Sequence, residues 1–421
     1  MSTLEILTDQ LHATSLPTGW RWSSLSDLLV CMESGSRPKG GAVGINGGVP
    51  SISAEHMTPH GTFDFSVLRY VPRDYYDNMP RGHIRRGDIL IVKDGATTGK
   101  TCFVDDSFPF DEAVGNEHVF ICRADAQQML PELLFLWLWG PQGQCGIRSS
   151  YQGAAIGGIN QSFASALQVP VPPSHQQGDM LRRLRNAFSK IAAARDALRQ
   201  RQEASTALAC AWHRDAFEQL RKASVPEVAL GNIVEFLTAR SLASDGDAPV
   251  HAVTTACLSE VGFLSEGIKE GRMRSVDVAS CTIRPGEILI ARSNTPELVG
   301  RVSLYEGVPS PIVATDLTVR MRCVDGAAPE YVTAYLSFLY QTGYWREVAG
   351  GASGSMKKIT RAHLQRLPVP LPNVPEQVAL AESLHDKVVA TRAIQGRVAD
   401  EGEALSALPS AVIRRAFKGV D

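Results

Sequence analysis

The sequence has 421 residues, more than one hydrophobic core usually serves, so two or three domains are expected. With 42 basic and 44 acidic side chains the net charge is −2, which excludes a chain that binds polyanions by bulk charge, although positive groups gathered on one face could still do so. The longest apolar run, "LLFLWLW" at Leu133–Trp139, is far below the roughly 20 residues that cross a bilayer. The opening "MSTLEILTDQLHATS" lacks the basic start and apolar core of a secretory signal, so a cytoplasmic protein is expected.

In chain order, residues 1–173 read as a first globular block, rich in short alternating runs such as "DILIV" with Gly and Asp turns between them. It ends in "LQVPVPPSHQQ", Leu167–Gln177, whose prolines exclude a central strand or a helix interior. Residues 174–222 then read as a long helix, 223–372 as a second block with "EILIA" in place of "DILIV", and 373–421 as a second long helix after "LQRLPVPLPNVPEQ". The first helix is the only basic segment, with ten basic against five acidic side chains over residues 175–222.

The second half repeats the first. "RRGDILIVKDGATTGK" aligns with "IRPGEILIARSNTPELVGR", placing Gly87 on Gly286 at an offset of 199. "NEHVFICR" (116–123) meets "TDLTVRMR" (315–322), "PELLFLWL" (131–138) meets "PEYVTAYL" (329–336), and "GAA" at Gly153 meets "GAS" at Gly351. The proline runs then coincide, and "RDAF" (214–217) meets "RRAF" (414–417). Anchors in one order at a nearly constant spacing indicate a tandem repeat.

Both helix starts carry a capping-box pattern, Ser174 with Gln177 and Asn373 with Glu376. Heptad spacing places Leu184, Phe188, Ile191, Leu198 and Trp212 on the inward face of the first helix, with Arg195, Gln202, Ser205 and Ala209 filling the remaining places. Leu384, Val388, Thr391, Val398, Leu405 and Val412 do the same on the second, 200 residues on. Matching registers predict a coiled coil; the alternative is two amphipathic helices that each cover their own block. Chain order makes a close pair antiparallel, which returns the end of the second helix to the first block and gives pseudo-twofold symmetry. The expected fold class is therefore α+β, two globular domains joined by two long antiparallel helices. Gly396 and Gly402 weaken the second helix, and Pro409 should kink or break it near its end.

Chemical motifs are few. The eight cysteines, at 31, 102, 122, 145, 210, 257, 281 and 323, form no C-x-x-C pair, which argues against zinc and against a disulfide framework and predicts reduced, mostly buried thiols. His56 and His60 are separated by Pro59 in a turn and make no metal pair; no metal is expected. "DGATTGKT" at Asp94–Thr101 resembles a P-loop, but Asp94 stands where the first glycine belongs and no helix follows. A β-turn is the better reading, with nucleotide-binding enzyme as an alternative.

What remains are polar and basic loops in matching places. In the first block the candidate DNA contacts are Arg37 and Lys39, His56, Lys93 and Lys100, and Asn160 and Gln161. In the second they are Arg240, Lys269, Arg272, Arg274, Arg292, Asn294, Lys357 and Lys358.

From about residue 16 to 419 the chain resembles the specificity (S) subunits of Type I restriction–modification systems. The features that carry this are "LPTGWRWSSLSDL" (16–28), the two "GDILI" and "GEILI" segments, the doubled proline connectors and the helices that follow them. The resemblance implies a non-catalytic reader of double-stranded DNA in which each block recognises one half of a split, asymmetric site and the helices set the spacer. It also implies partners: two methyltransferase subunits using S-adenosylmethionine on adenine, and endonuclease/translocase subunits using ATP and Mg. No cofactor is expected in this chain. Neither block is net basic, which leaves phosphate neutralisation to local patches, the first helix or the partners. A purely structural helical adaptor is the alternative.

Overall fold

The structure is a computed structural model that describes residues 16–39, 41, 45, 47–151, 157–259, 262–353 and 356–418. The opening segment up to Ser15, Gly40, the Gly153 anchor, and Gly354 and Ser355 of "SGSMKK" lie outside the described residues. The chain divides into two compact units, Met1–Ala197 with Glu401–Asp421, and Leu198–Asp400. That division falls inside both long helices, Ser174–Lys222 and Val374–Lys418, so each unit holds one block and a portion of each helix.

Unit 1 is built on an antiparallel sheet of β1 (Leu29–Ser34), β2 (Asp88–Val92), β3 (Thr101–Phe103) and β4 (Val119–Ala124), in the order β1-β4-β2-β3. Unit 2 repeats it with β5 (Val234–Phe236), β6 (Glu287–Ala291), β7 (Val302–Tyr305) and β8 (Thr318–Cys323), in the order β5-β8-β6-β7. The central strands β2 and β6 are buried along their whole length, which is why they read as continuous Ile, Leu and Val runs. A carboxylate opens each of them. Asp88 lies opposite Arg123 and bonds it at 2.8 Å; Glu287 lies opposite Arg322 and bonds both it and the buried Arg320. Burial raises the Asp88 carboxyl above its ordinary value, and the Arg123 guanidinium offsets that only in part.

The proline connectors are edge ribbons. Gln168–Val171 pairs with Arg21–Ser24, and Pro368–Pro370 pairs with Glu227–Ala229, each in a two-stranded sheet where a missing N–H is tolerated. Each then hands over to a long helix through a buried glutamine. Gln177 accepts from the Leu130 N–H at 2.9 Å and donates to the Gln128 and Pro172 carbonyls. Gln377 accepts from the Ala328 N–H at 2.8 Å and donates to the Gly326 and Pro372 carbonyls. The capping-box expectation is therefore corrected in part. Asn373 does accept from the Glu376 N–H at 3.0 Å, but Ser174 is already the first helical residue and Gln177 fastens the helix to its block instead.

Within unit 1 the end of the second helix lies beside the start of the first: Ile413 and Phe417 share a core with Met180 and Leu184. Within unit 2 the end of the first helix lies beside the start of the second: Phe217 shares a core with Ala381 and Leu384. The helix segments are antiparallel in each. Leu184, Ile191, Leu198, Leu384, Thr391 and Val398 are buried at seven-residue intervals, with Phe188, Trp212, Val388, Leu405 and Val412 half-buried. Arg195 and Gln202 are exposed, which corrects their assignment to the inner face, whereas Ser205 is buried. The helix also continues through Pro409 without a break, because Ile413 and Phe417 beyond it are seated in the core. Gly396 and Gly402 face open space.

Candidate nucleic-acid interface

In both units the central strand runs into a polar loop that is clamped by a second loop from far along the chain. After β2, the Lys93 carbonyl accepts from the Ile159 N–H at 2.7 Å and the Lys93 N–H donates to the His118 carbonyl at 2.9 Å. After β6, the Arg292 carbonyl accepts from the Ile359 N–H at 2.8 Å and the Arg292 N–H donates to the Leu317 carbonyl at 2.9 Å. The bonded positions of the two frames correspond on the repeat, Lys93 to Arg292, His118 to Leu317 and Ile159 to Ile359. Asp94 bridges to Gly158 in one; Ser293 and Asn294 pair with Lys358 and Lys357 in the other. A side chain at Gly158 would lie 2.5 Å from the Lys93 carbonyl oxygen, so this junction closes only around glycine.

Unit 1 surrounds its junction with a cleft of about 300 Å³. Arg37 lies in it, its Nε 2.7 Å from the Glu117 carboxylate and its guanidinium 3.1 Å from the His118 Nε2. His118 Nδ1 is 2.7 Å from Asp94, and Arg69 is 2.7 Å from Glu55. Partial burial opposes ionisation of Glu117 and Glu55, yet the Arg37 and Arg69 hydrogen bonds hold both carboxyls below their ordinary range. The cleft thus presents a planar guanidinium fork, carboxylate acceptors and the Ser53 and Thr97 hydroxyls from fixed positions.

The candidates of unit 1 divide. Arg37 and Lys93 belong to this cleft and its junction, and Lys93 Nζ also lies 5.6 Å from the centre of the Phe120 ring. Lys39 is exposed; Asn160 accepts from the Ser162 N–H at 2.9 Å and Gln161 reaches the Met32 carbonyl at 3.5 Å, both at the surface. His56 is corrected. It is 1 % exposed, with Nδ1 accepting from the Ser53 N–H at 2.9 Å and Nε2 2.9 Å from the Val67 carbonyl, so no ring edge is left for DNA. Lys100 is corrected too: its ammonium donates to the Ala54 and Met57 carbonyls at 3.1 and 2.8 Å and fastens the turn that holds His56. The P-loop resemblance ends there. The loop is a turn closed by the Thr98 N–H on the Gly95 carbonyl, and it leads into β3, not a helix.

In unit 2 the junction gathers Arg292, Asn294, Lys357 and Lys358 on the small sheet formed by Ser293–Asn294, Met356–Lys358 and Gly350–Ser353. The Arg292 Nε is buried without a hydrogen-bond partner among the described residues. A second group sits on the two-stranded antiparallel sheet of Ala248–Ala252 and Lys269–Met273. There Arg272 donates to the Gly246 carbonyl at 2.6 Å, Arg274 pairs with Asp277 at 2.7 Å, and Arg240 lies 3.9 Å from the same carboxylate. Lys269 is exposed at the other end of that strand. Sequence reading missed Arg69, Glu117, His118 and the Arg361 guanidinium 4.7 Å over the Phe236 ring; of these, only the "NEHVFICR" anchor pointed at a site.

Among the described residues no cluster of His, Cys, Asp or Glu could hold a metal, and no helix is long and apolar enough to cross a membrane. The cysteines are free; Cys102, Cys122, Cys257 and Cys281 are buried and the other four are intermediate.

Fold and site define a class: a tandem α+β protein whose two units each carry a clamped polar loop junction and share a pair of long helices. Comparison with known proteins agrees. No protein-family model matches the chain. A curated relative, the putative type I restriction enzyme MjaX specificity subunit of Methanocaldococcus jannaschii, is 26 % identical over 139 residues, which is 33 % of this chain and 32 % of that protein. A chain from a structural study of complex assembly and conformational transition in the type I R-M system matches with a TM-score of 0.69 at 17 % identity, over 96 % of this chain and 99 % of its own. The HsdS subunit from Thermoanaerobacter tengcongensis matches with a TM-score of 0.58 at 16 % identity, over 97 % and 98 %. The chain resembles type I specificity subunits and has their fold, as its doubled motif order implies.

Proposed function

We propose that the chain is a DNA-reading specificity subunit with no catalytic centre of its own, which directs the modification and restriction subunits of a type I system to a split, asymmetric site. Each unit reads one half-site, the long helices set the gap between half-sites, and they dock two methyltransferase subunits. Endonuclease/translocase subunits join the same assembly. S-adenosylmethionine for adenine methylation, and ATP with Mg for restriction, belong to those partners.

The observation that carries this reading is the doubled junction, in which equivalent backbone hydrogen bonds at Lys93–Ile159 and Arg292–Ile359 hold different side chains. A fixed frame with exchanged tips is what two unlike half-sites require. Base edges are told apart by donors and acceptors, and the Arg37 fork, the Asp94 carboxylate and the Asn294 amide supply both kinds, while Lys357 and Lys358 suit phosphates. An adaptor that only joined two proteins would have no use for such tips.

The test is to exchange residues 1–170 for the corresponding block of another such chain and map adenine methylation across a genome. One half of the methylated sequence is expected to change while the other stays. Deleting one heptad from both helices is expected to shorten the gap between them. A contiguous site unmoved by both changes would overturn the reading.

A further inference from the structure

The repeat places the same positions in two different environments beneath the long helices. In unit 1, Phe103, Phe135, Trp139 and Phe188 form one aromatic column, with ring centres 5.4 Å, 6.2 Å and 6.1 Å apart in succession. The Trp139 Nε1 closes it by donating to the Pro59 carbonyl at 3.0 Å, and Ile413 packs against Gly140 beside it. In unit 2 every one of these positions is smaller or more polar. Leu304 takes the place of Phe103, since Ile288 faces it across the strands as Ile89 faces Phe103. Thr333 stands for Phe135, Ser337 for Trp139, Val388 for Phe188 and His213 for Ile413, at the offsets of 198 and 200 that the anchors set.

All five replacements line one groove of about 610 Å³. An aromatic side chain buries on the order of 150–250 Å², so losing the column leaves room for a ring to enter from outside. The rim is acidic: Glu306, Glu330, Glu382 and Asp386 border the groove. In unit 1 the position of Glu330 is Glu132, which Arg185 neutralises at 2.9 Å; in unit 2 the position of Arg185 is His385. The groove has thus lost its filling and the counterpart of Arg185, and although Arg392 also lines it, four carboxylates outnumber that one guanidinium and disfavour nucleic acid.

We infer that unit 2 receives in this groove an aromatic side chain carried on a basic segment of a partner protein, so that the partner supplies from outside the ring that unit 1 carries itself. In unit 1 the corresponding positions are already filled by the chain's own rings, so one such segment per chain is expected. This inference does not rest on the DNA-reading proposal, because it concerns a face too acidic for DNA.

The probe is a fluorescein-labelled peptide, Gly-Lys-Lys-Phe-Lys-Lys-Gly, titrated into the full chain and followed by anisotropy. One peptide is expected to bind per chain. Replacing its Phe by Ala is expected to weaken binding at least tenfold, and replacing its Lys by Glu to abolish it. Thr333→Phe with Ser337→Trp, which rebuilds the unit 1 column, should weaken binding at least tenfold. Because that pair could disturb folding, Glu330→Lys with Glu382→Lys, both at exposed positions, serves as the second variant and should give a comparable loss with an unchanged thermal melt. Equal binding of the Phe and Ala peptides would mean bare charge attraction; full binding by the Glu330→Lys, Glu382→Lys chain would place the peptide elsewhere; no binding at all would leave the groove without this occupant. Each of these overturns the inference.

Discussion

The two units share a frame and differ in what fills it. Strand order, the carboxylate at the head of the central strand, the glutamine clasp at the helix start and the clamp after Lys93 or Arg292 are all kept. What changes is the filling: an aromatic column against an acidic groove, an ion-paired cleft against a small lysine-rich sheet. Kept elements satisfy backbone groups that would otherwise be orphaned in the interior, so they tolerate little change. Exchanged elements are mostly side chains and surface loops, and there the copies have been free to part.

Three measurements press on that comparison. The largest difference is expected at the ion pair heading the central strand. Glu287→Gln leaves the Arg320 charge, only 4 % exposed, with backbone carbonyls but no carboxylate, and should cost about 3–5 kcal/mol by urea denaturation of the full chain. Asp88→Asn leaves Arg123 at 22 % exposure with water within reach and should cost clearly less, about 1–2 kcal/mol. Equal costs would show that the two pairs are the same device after all.

A smaller gap is expected where Lys100 and Arg301 tie the loop to the preceding turn. Lys100→Met forfeits two hydrogen bonds, at 3.1 and 2.8 Å, and should cost about 1–2 kcal/mol, whereas Arg301 has a long hydrogen bond of 3.4 Å to the Leu258 carbonyl and a ring contact 5.9 Å from the Tyr340 centre, and its replacement should cost less than about 1 kcal/mol. Urea midpoints of the two variants compare them directly. The smallest effect is one of pH. Burial holds the His56 imidazole below its ordinary value of 6.5, so its contribution to stability is present above that pH and is lost as the pH falls. Unit 2 has Cys257 at the corresponding turn. Between about pH 7 and pH 5, amide protection relative to the intrinsic exchange rate should therefore fall around Ala54–His56 and not around Thr255–Cys257, and His56→Cys should remove the difference.

Much of the frame was legible in the sequence because it recurs. The strand runs and the seven-residue spacing of Leu184, Ile191 and Leu198 each appear twice, and both are built as read. The helix ends were harder. A strict heptad leads to Trp212 and Val412, but the buried residues there are His213 and Ile413, followed by Phe217 and Phe417. An α-helix of 3.6 residues per turn drifts against a seven-residue count, so the inward face moves on by one position toward the ends. The site was legible as a set of loops and not as contacts. Lys100 and His56 look like surface polar residues until the fold brings the Ala54, Met57 and Val67 carbonyls to them, and that pairing is set by tertiary structure, not by local pattern.

The seating of Ile413 and Phe417 in the core that contains Leu25 and Leu28 bears on how the chain is made. Unit 2 is one unbroken stretch, Leu198–Asp400, and can close as soon as it leaves the ribosome. Unit 1 begins before unit 2 and finishes after it, since its interior lacks two large apolar side chains until unit 2 has been synthesised. Its contacts of very high sequence separation predict slow completion and, throughout translation, an apolar gap exposed to chaperones.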